Sequence, residues 1–215
     1  MQRLRESLQC FEFPKSVLDD FDKLQRDFWW NKDNPKKAFY PKAWDNIRAS
    51  KVAGGIGIRD PYKVNISLLA KLAWRLLKNP EDLWVKILRG KYFPRTHPFH
   101  KKKDYEISWI WHNIRLGLQV IKDNSIWQVG YGRNIHVSSD NWIPGMGRLT
   151  NWRHDDIQFV SDLIEADGGW NMDLIDSTLQ PEIDNKIKSI SLTKNSHDSL
   201  MWLGNRNGKF TTKSA

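Results

Sequence analysis

The residues with the clearest chemical potential are basic and aromatic side chains in the first half of the chain. Trp30 precedes a basic connector that carries Lys32, Lys36, Lys37 and Lys42. An exposed indole beside lysines can stack on an unpaired base while the lysines neutralise phosphates. This combination predicts a nucleic-acid-binding segment. The alternative interpretation is a core tryptophan followed by solvated lysines.

A second group of cations lies on the predicted helix over 61–79 and in the predicted loop over 94–105. Its members are Lys71, Arg75, Lys78, Lys101, Lys102 and Lys103. Residues 1–103 contain 23 lysines and arginines against 11 aspartates and glutamates, a net charge of +12, whereas residues 104–215 contain 11 against 14, a net charge of −3. A basic field of this size attracts polyanions, because binding releases condensed counterions. A surface that only confers solubility has the same charge, so both interpretations stay open.

Histidines offer a weaker possibility of metal binding. His97 and His100 are spaced as His-x-x-His, with His112 nearby, but no further ligand lies close in sequence and Cys10 is remote. A zinc site requires three or four converging ligands. We therefore predict surface histidines in a basic loop, no bound metal and no cofactor.

Catalytic motifs are not recognisable in the sequence. Asp155 and Asp156 are adjacent, so on a helix their carboxylates would point about 100° apart and could not share a metal pair. The glycines of residues 54–60 are not followed by the Lys-Ser or Lys-Thr of a phosphate-binding loop, so we predict a structural turn there. We predict no catalytic residue.

Composition narrows the class of protein. A single cysteine excludes a disulfide framework. No apolar run reaches the roughly 18 residues that a bilayer span needs, and the N-terminus lacks the apolar core of a signal peptide. We expect an intracellular protein, nuclear or cytoplasmic, without a membrane partner.

The elements that must position these residues are mainly helical at first. Apolar spacings of three and four predict helices over 14–30, 61–79, 83–92 and 108–121, with a short turn of helix at 44–47. The short connection at Asn79-Pro80 favours a helical hairpin or corner over 61–92. Alternation around glycine-rich turns predicts β-hairpins over 127–137 and 198–212. Weaker helical patterns lie between 157 and 187. The predicted fold class is α+β, mainly helical in the first ~120 residues, with two β-hairpins in the second half.

Several motifs occur together in an order that resembles a known family. They are Phe28-Trp-Trp-Asn31, Trp44-Asp-Asn-Ile47, residues 54–60, residues 68–77, Lys91-Tyr-Phe-Pro94, Trp109-Ile-Trp111, residues 127–132 and Asp140-Asn-Trp-Ile-Pro144. This series closely resembles the region downstream of the reverse transcriptase palm in plant non-LTR (LINE-type) retrotransposon polyproteins. Residues 198–215 resemble the opening strands of the zinc-binding domain that follows there.

The resemblance implies four segments. These are a thumb-like helical segment (1–45), a basic helical region (46–104), a connector with a helix and a β-hairpin (105–150), and an acidic connector leading into a truncated start of a zinc-binding-type domain (151–215). The parent polyprotein is an RNA-directed DNA polymerase. This chain contains neither its Tyr/Phe-x-Asp-Asp motif nor the zinc ligands, so the resemblance gives it no catalyst.

The sequence thus predicts a non-catalytic fragment that binds RNA or an RNA/DNA hybrid beside the rest of the polyprotein. One alternative is a protein-interaction or structural linker between the polymerase and zinc-binding domains. Another is a decayed copy without selected activity. Oligomeric state is left open.

Overall fold

The computed structural model describes residues 11–30, 40–100, 107–149, 152, 154, 156–178, 181–192 and 196–215. Within them lie seven α-helices and two β-strands. The helices are α1 (Lys15–Trp29), α2 (Trp44–Arg48), α3 (Pro61–Lys78), α4 (Leu83–Tyr92), α5 (Trp109–Asp123), α6 (Met172–Thr178) and α7 (Pro181–Lys188), and the strands are β1 (Ser125–Gln128) and β2 (Ser199–Trp202). The predicted α+β class is confirmed, with most of the helix in the first half.

Helices α3 and α5 form the centre of the structure. Helix α3 begins at an Asp60 cap, whose carboxylate accepts the N–H of Tyr62 at 2.9 Å, and α5 begins at Ser108, whose hydroxyl accepts the N–H of Trp111 at 3.3 Å. The two helices cross closely because Gly117 carries no side chain: a Cβ there would overlap the carbonyl of Leu69. Helix α3 therefore packs mainly on α5. The predicted helices over 61–92 both form, but the packed helical pair is α3 with α5 rather than α3 with α4.

Arg48 on α2 links α1 to the start of α3, which α1 also contacts directly. The Arg48 guanidinium lies 3.3 Å from Asp22 on α1 and 2.7 Å from the Asp60 carboxylate. The chain then turns at Gly54 and Gly57, which have φ values of 79° and 77°. Only glycine adopts this conformation without strain, so the glycine-rich stretch is the structural turn that the sequence predicts.

The two predicted β-hairpins do not form as predicted. Strand β1 pairs antiparallel with β2, with Ser125 opposite Trp202 and Trp127 opposite Leu200. The extended residues 135–137 instead meet 158–160, where Val137 N–H donates to the carbonyl of Gln158 and Val160 N–H to that of Ile135, both at 2.9 Å. Alternation identified the extended residues of β1, β2 and 135–137, but it carries no information on which segment pairs with which.

In the second predicted hairpin, β2 forms its first strand and no strand forms from 210 to 212. Two backbone hydrogen bonds close the turn after β2: the N–H of Trp202 donates to the carbonyl of Gly208 at 2.9 Å, and the N–H of Gly208 donates to that of Asn205 at 3.0 Å. Phe210 contributes a side chain instead, and its ring meets that of Trp202 edge-on at 4.9 Å.

One hydrophobic core joins α3, α5, both strands and the segments after them. It contains Trp111, Trp127, Trp142, Trp170 and Trp202, while Trp74, Trp84 and Trp152 pack partly buried against it. Most of the twelve tryptophans thus serve the core, as their apolar periodicity predicts. Buried residues of three of the four predicted segments share this core. The division into four segments remains a prediction.

Candidate nucleic-acid interface

A cleft lies where the end of α4 and the loop after it meet the turn at 130–134. Its volume is about 350 Å³. The residues that line it are Leu76, Leu77, Arg89, Phe93, Pro94, Arg95, Thr96, His97, Pro98, His100, Arg133, Asn134 and Phe159. None of these is acidic, although the second half of the chain, which supplies Arg133, Asn134 and Phe159, is acidic overall.

Three arginines give the cleft its charge. Arg89 lies in the basic last turn of α4, Arg95 follows in the loop, and Arg133 reaches the cleft from the turn at 130–134. None of the three forms an ion pair with a described residue. Arg133 lies 5.7 Å from the centre of the Tyr131 ring. Guanidinium groups that lack a carboxylate partner keep their donors free for phosphate oxygens, which they bind in a bidentate manner.

His97 forms part of the wall as a neutral ring. Its Nδ1 accepts the N–H of Phe99 at 3.3 Å, which requires that nitrogen to be unprotonated. Burial of the ring, with the charge of the nearby His100, lowers the pKa of His97 to about 3. His97 therefore adds shape and an aromatic face to the cleft at neutral pH, and no charge.

His100 is fixed by a buried carboxylate behind the cleft. Its Nε2 lies 2.6 Å from Asp140, which is 1% exposed and also accepts the N–H of His136 at 2.8 Å. Burial alone would raise the pKa of Asp140, but the hydrogen bond and charge of His100, with Lys122 at 3.8 Å, hold that pKa below its ordinary value. The carboxylate is therefore ionised at neutral pH and orients the imidazole.

Asp198 shapes the opposite rim. One oxygen of its carboxylate accepts the N–H groups of Gly130 at 2.9 Å and Gly132 at 2.7 Å, and the other accepts that of Asn134 at 2.9 Å. Gly132 has a φ of 70°, and a Cβ there would lie 2.5 Å from the backbone nitrogen of Ser161. The turn that presents Arg133 is thus held by a carboxylate 64–68 residues away in sequence.

The three predicted cations on α3 lie on one side of the helix, because their spacing of four and three residues is close to its period. Lys71 is exposed. Arg75 pairs with Asp82 at 3.0 Å and lies over the Trp84 ring at 5.7 Å, and the Lys78 ammonium lies over the Trp74 ring at 5.2 Å. Of the three, only Lys71 forms no ion pair or ring contact with a described residue.

The other predicted binding residues are less well placed or lie outside the description. Trp30 is partly buried, and its Nε1 is enclosed without a partner among the described residues. The exposed rings beside it are Phe28 and Trp29, at 86% and 48% exposure. Lys42 is exposed. Lys32, Lys36, Lys37, Lys101, Lys102 and Lys103 lie outside the described residues.

The histidines that are neighbours in sequence do not all meet. The rings of His97 and His100 are 5.5 Å apart, whereas the nearest described carboxylate to His112 is that of Glu12, at 4.0 Å. In the part of the chain that the structure describes, no group of three histidine, cysteine or acidic side chains could hold a metal ion.

Sequence reasoning missed the three cleft arginines. Arg89 and Arg95 lie on either side of the Lys91-Tyr-Phe-Pro94 motif, and Arg133 lies in a turn that alternation assigned to a hairpin. For Arg95 and Arg133 the available signal was their position beside motif residues in a predicted loop and a predicted turn, where binding residues concentrate.

Comparison with known proteins finds relatives in a plant. The chain is similar to an Arabidopsis thaliana protein named "Putative ribonuclease H protein", with 27% identity over 219 residues that cover 97% of this chain. It spans about a third of that relative's length, 35%. It is also similar to an "Uncharacterized mitochondrial protein" of the same plant, with 28% identity over 138 residues, which are 64% of this chain and 90% of that relative.

Other comparisons give no match. No protein-family model matches the chain, and no solved structure is similar to it. Among the described residues, no helix is both long and apolar enough to span a bilayer.

Proposed function

We propose that this chain is a non-catalytic, nucleic-acid-binding part of a plant retrotransposon reverse transcriptase, in which it handles template or primer. The observation that carries the proposal is the cleft with three arginines and no acidic lining residue. Its ligand is RNA or an RNA/DNA hybrid, and its other partner is the rest of the polyprotein. It acts in the nucleus or the cytoplasm.

Two further observations support this assignment. One relative of the chain is named as a ribonuclease H protein, and this chain corresponds to about a third of that protein. The ordered motifs from Phe28 to Pro144 resemble the region after the palm of LINE-type reverse transcriptases. A thumb-like segment with Trp30 and the lysines of the 31–42 connector would then lie near the duplex, and Lys71 would extend the basic surface.

Salt-dependent binding tests the proposal. We would measure binding to labelled single-stranded RNA and to an RNA/DNA hybrid by fluorescence anisotropy between 50 and 300 mM salt. The logarithm of the association constant should fall linearly with the logarithm of the salt concentration. A triple variant of Arg89→Gln, Arg95→Gln and Arg133→Gln should reduce the slope by about 2, since each phosphate contact on a single strand contributes about 0.7.

A matched control removes the same charge elsewhere. Lys186→Gln, Arg206→Gln and Lys209→Gln neutralise three exposed cations that do not line the cleft. This control should keep most of the slope. A dissociation constant weaker than about 100 μM at 50 mM salt, without salt dependence, would refute the proposal.

Catalysis belongs to the parent polymerase in this proposal. A primer-extension assay with magnesium and the isolated chain should give no product. Extension by the chain alone, abolished by heat denaturation, would contradict a non-catalytic role.

A second function, as a protein-interaction linker between polymerase and zinc-binding domains, has one observation in its favour. Helix α1 exposes Val17, Leu24 and Phe28 along one face, at 44%, 66% and 86% exposure. Such a stripe is typical of an interface. Leu24→Ser with Phe28→Ser should abolish co-purification with the polymerase segment of the same polyprotein while leaving RNA affinity unchanged. Unaltered co-purification would exclude this face as the contact.

A further inference from the structure

The shape of the cleft restricts what can enter it. About 350 Å³ lies within the usual size of a small-molecule site, so the space suits a single nucleotide. Phe93 and Leu76, each 3% exposed, close its inner end. A base that is stacked and paired within a duplex cannot enter such a space, whereas an unpaired base can be turned out of its strand.

The lining is divided between two kinds of chemistry. Arg89, Arg95 and Arg133 supply positive charge. The apolar part consists of Leu76, Leu77, Phe93, Pro94, Pro98 and Phe159. A ligand that satisfies both parts carries a flat ring system and an anionic group, and a nucleotide is the unit of a nucleic acid with that composition.

The cleft is also lined by uncharged polar groups. The Asn134 amide and the Thr96 hydroxyl have no hydrogen-bond partner among the described residues. An amide can donate and accept at once, as the edge of an unpaired base requires. His100 donates Nε2–H to Asp140, so its Nδ1 is the ring atom left for a ligand.

These groups are held in place before a ligand arrives. Asp198 fixes the turn that carries Arg133 and Asn134, and Asp140 fixes His100. A site whose side chains are already ordered loses less conformational entropy on binding. Phe159 is positioned as well, since its ring meets that of His136 edge-on at 5.7 Å.

We propose that the cleft binds one unpaired nucleotide of an RNA or DNA strand, with phosphate on Arg89, Arg95 and Arg133 and the base between Phe159 and the apolar inner end. Asn134 and Thr96 contact the edge of the base. This inference rests on the proposed nucleic-acid binding and adds to it a preference for a base that is not paired.

A fluorescent base reports entry into the cleft directly. The probe is a ten-nucleotide single strand with 2-aminopurine at its centre and fluorescein at one end, and the same strand in a blunt duplex serves as the comparison. We expect binding of the single strand to change the 2-aminopurine emission and to be at least about tenfold tighter than duplex binding, which corresponds to the loss of one stacked base.

Variants connect the signal to the cleft. Phe159→Leu and Asn134→Ala should each reduce the change in 2-aminopurine emission, and Arg95→Gln with Arg133→Gln should weaken the affinity about tenfold or more. Lys186→Gln with Lys209→Gln is the matched control and should leave emission unchanged. Melting curves identify any variant that has lost its fold. If Phe159→Leu does not fold, Asn134→Ala, at an exposed position, still tests the proposal.

The outcomes separate the two proposals. Salt-dependent binding that is equal for single strand and duplex, with constant 2-aminopurine emission, would overturn the nucleotide cleft and leave the proposed function intact. Absence of binding to any probe would overturn the proposed function itself. Adenosine monophosphate that binds as tightly as the oligonucleotide would show a site for free nucleotides and overturn the assignment to a strand.

Discussion

Substitution of Asp198 by alanine removes the acceptor of three backbone N–H groups at once, those of Gly130, Gly132 and Asn134. Alanine leaves these donors without a protein partner, and the first two are partly buried. The perturbation is therefore concentrated on the turn that forms one rim of the cleft.

The magnitude follows from the number and type of the bonds. A hydrogen bond to a charged group contributes about 1.5–3 kcal/mol, and water can replace part of this for partly exposed donors, so three bonds together suggest a loss of about 3 kcal/mol. For a chain of this length, 1 kcal/mol shifts the melting temperature by about 2–4 °C. Asp198→Ala should therefore lower the melting temperature by about 6–12 °C.

The isosteric variant refines the expectation. Asp198→Asn keeps an oxygen for Gly130 and Gly132 but turns an amide donor toward the N–H of Asn134. It should therefore show about a third of the destabilisation of Asp198→Ala, about 1 kcal/mol. Asp167→Ala is the matched control, because its carboxylate accepts one N–H among the described residues, that of Gly169 at an exposed turn. It should cost less than about 1 kcal/mol.

Differential scanning fluorimetry with urea unfolding measures these differences. The cleft provides a second readout, since a loosened turn should weaken single-strand binding by Asp198→Ala even at temperatures where the protein stays folded. A melting shift of Asp198→Ala below about 2 °C, or equal shifts for alanine and asparagine, would refute the three-bond account.

Two further predictions concern stability. The pKa of His97 is near 6.5 in the unfolded chain and about 3 in the folded protein, so the unfolded chain binds a proton first as the pH is lowered. The free energy of unfolding should therefore decrease on acidification, by about 2 kcal/mol between pH 7.5 and pH 5. In urea titrations His97→Gln should remove this component, and an unchanged pH dependence would contradict the neutral buried ring. Gly117→Ala should cost about 1–3 kcal/mol or more, because its Cβ overlaps the Leu69 carbonyl, whereas Gly90→Ala, in open space on α4, should stabilise by about 0.5–1 kcal/mol. Thermal melting of both variants tests this, and similar shifts in one direction would contradict the close helix crossing.

The helices could be predicted well because their determinants are local. The stripe along residues 61–78, the Asp60 cap and the Asn79-Pro80 stop all lie within or beside α3 itself. The same holds for α5 and its Ser108 cap. Local signals of this kind fix the ends of an element without reference to the rest of the fold.

The strand partners and the cleft could not be predicted in the same way. Ser125 pairs with Trp202, and Asp198 binds Gly130, so the relevant groups lie 68–77 residues apart in sequence. Periodicity describes which face of a segment is apolar and leaves its partner undetermined. Arg89 and Arg133 likewise converge only after tertiary packing, which explains why charge counting located a basic half and missed the cleft.

The separation of β1 and β2 in sequence delays their pairing during synthesis of the protein. A ribosome adds about 5–20 residues per second, so the 74 residues from the end of β1 at Gln128 to the end of β2 at Trp202 take about 4–15 s to appear. During that interval the N–H and C=O groups of β1 lack their strand, and the turn at 130–134 lacks its Asp198 carboxylate. The nascent protein thus has a window of seconds in which its helices can pack while the arginine cleft has only one of its two rims in place.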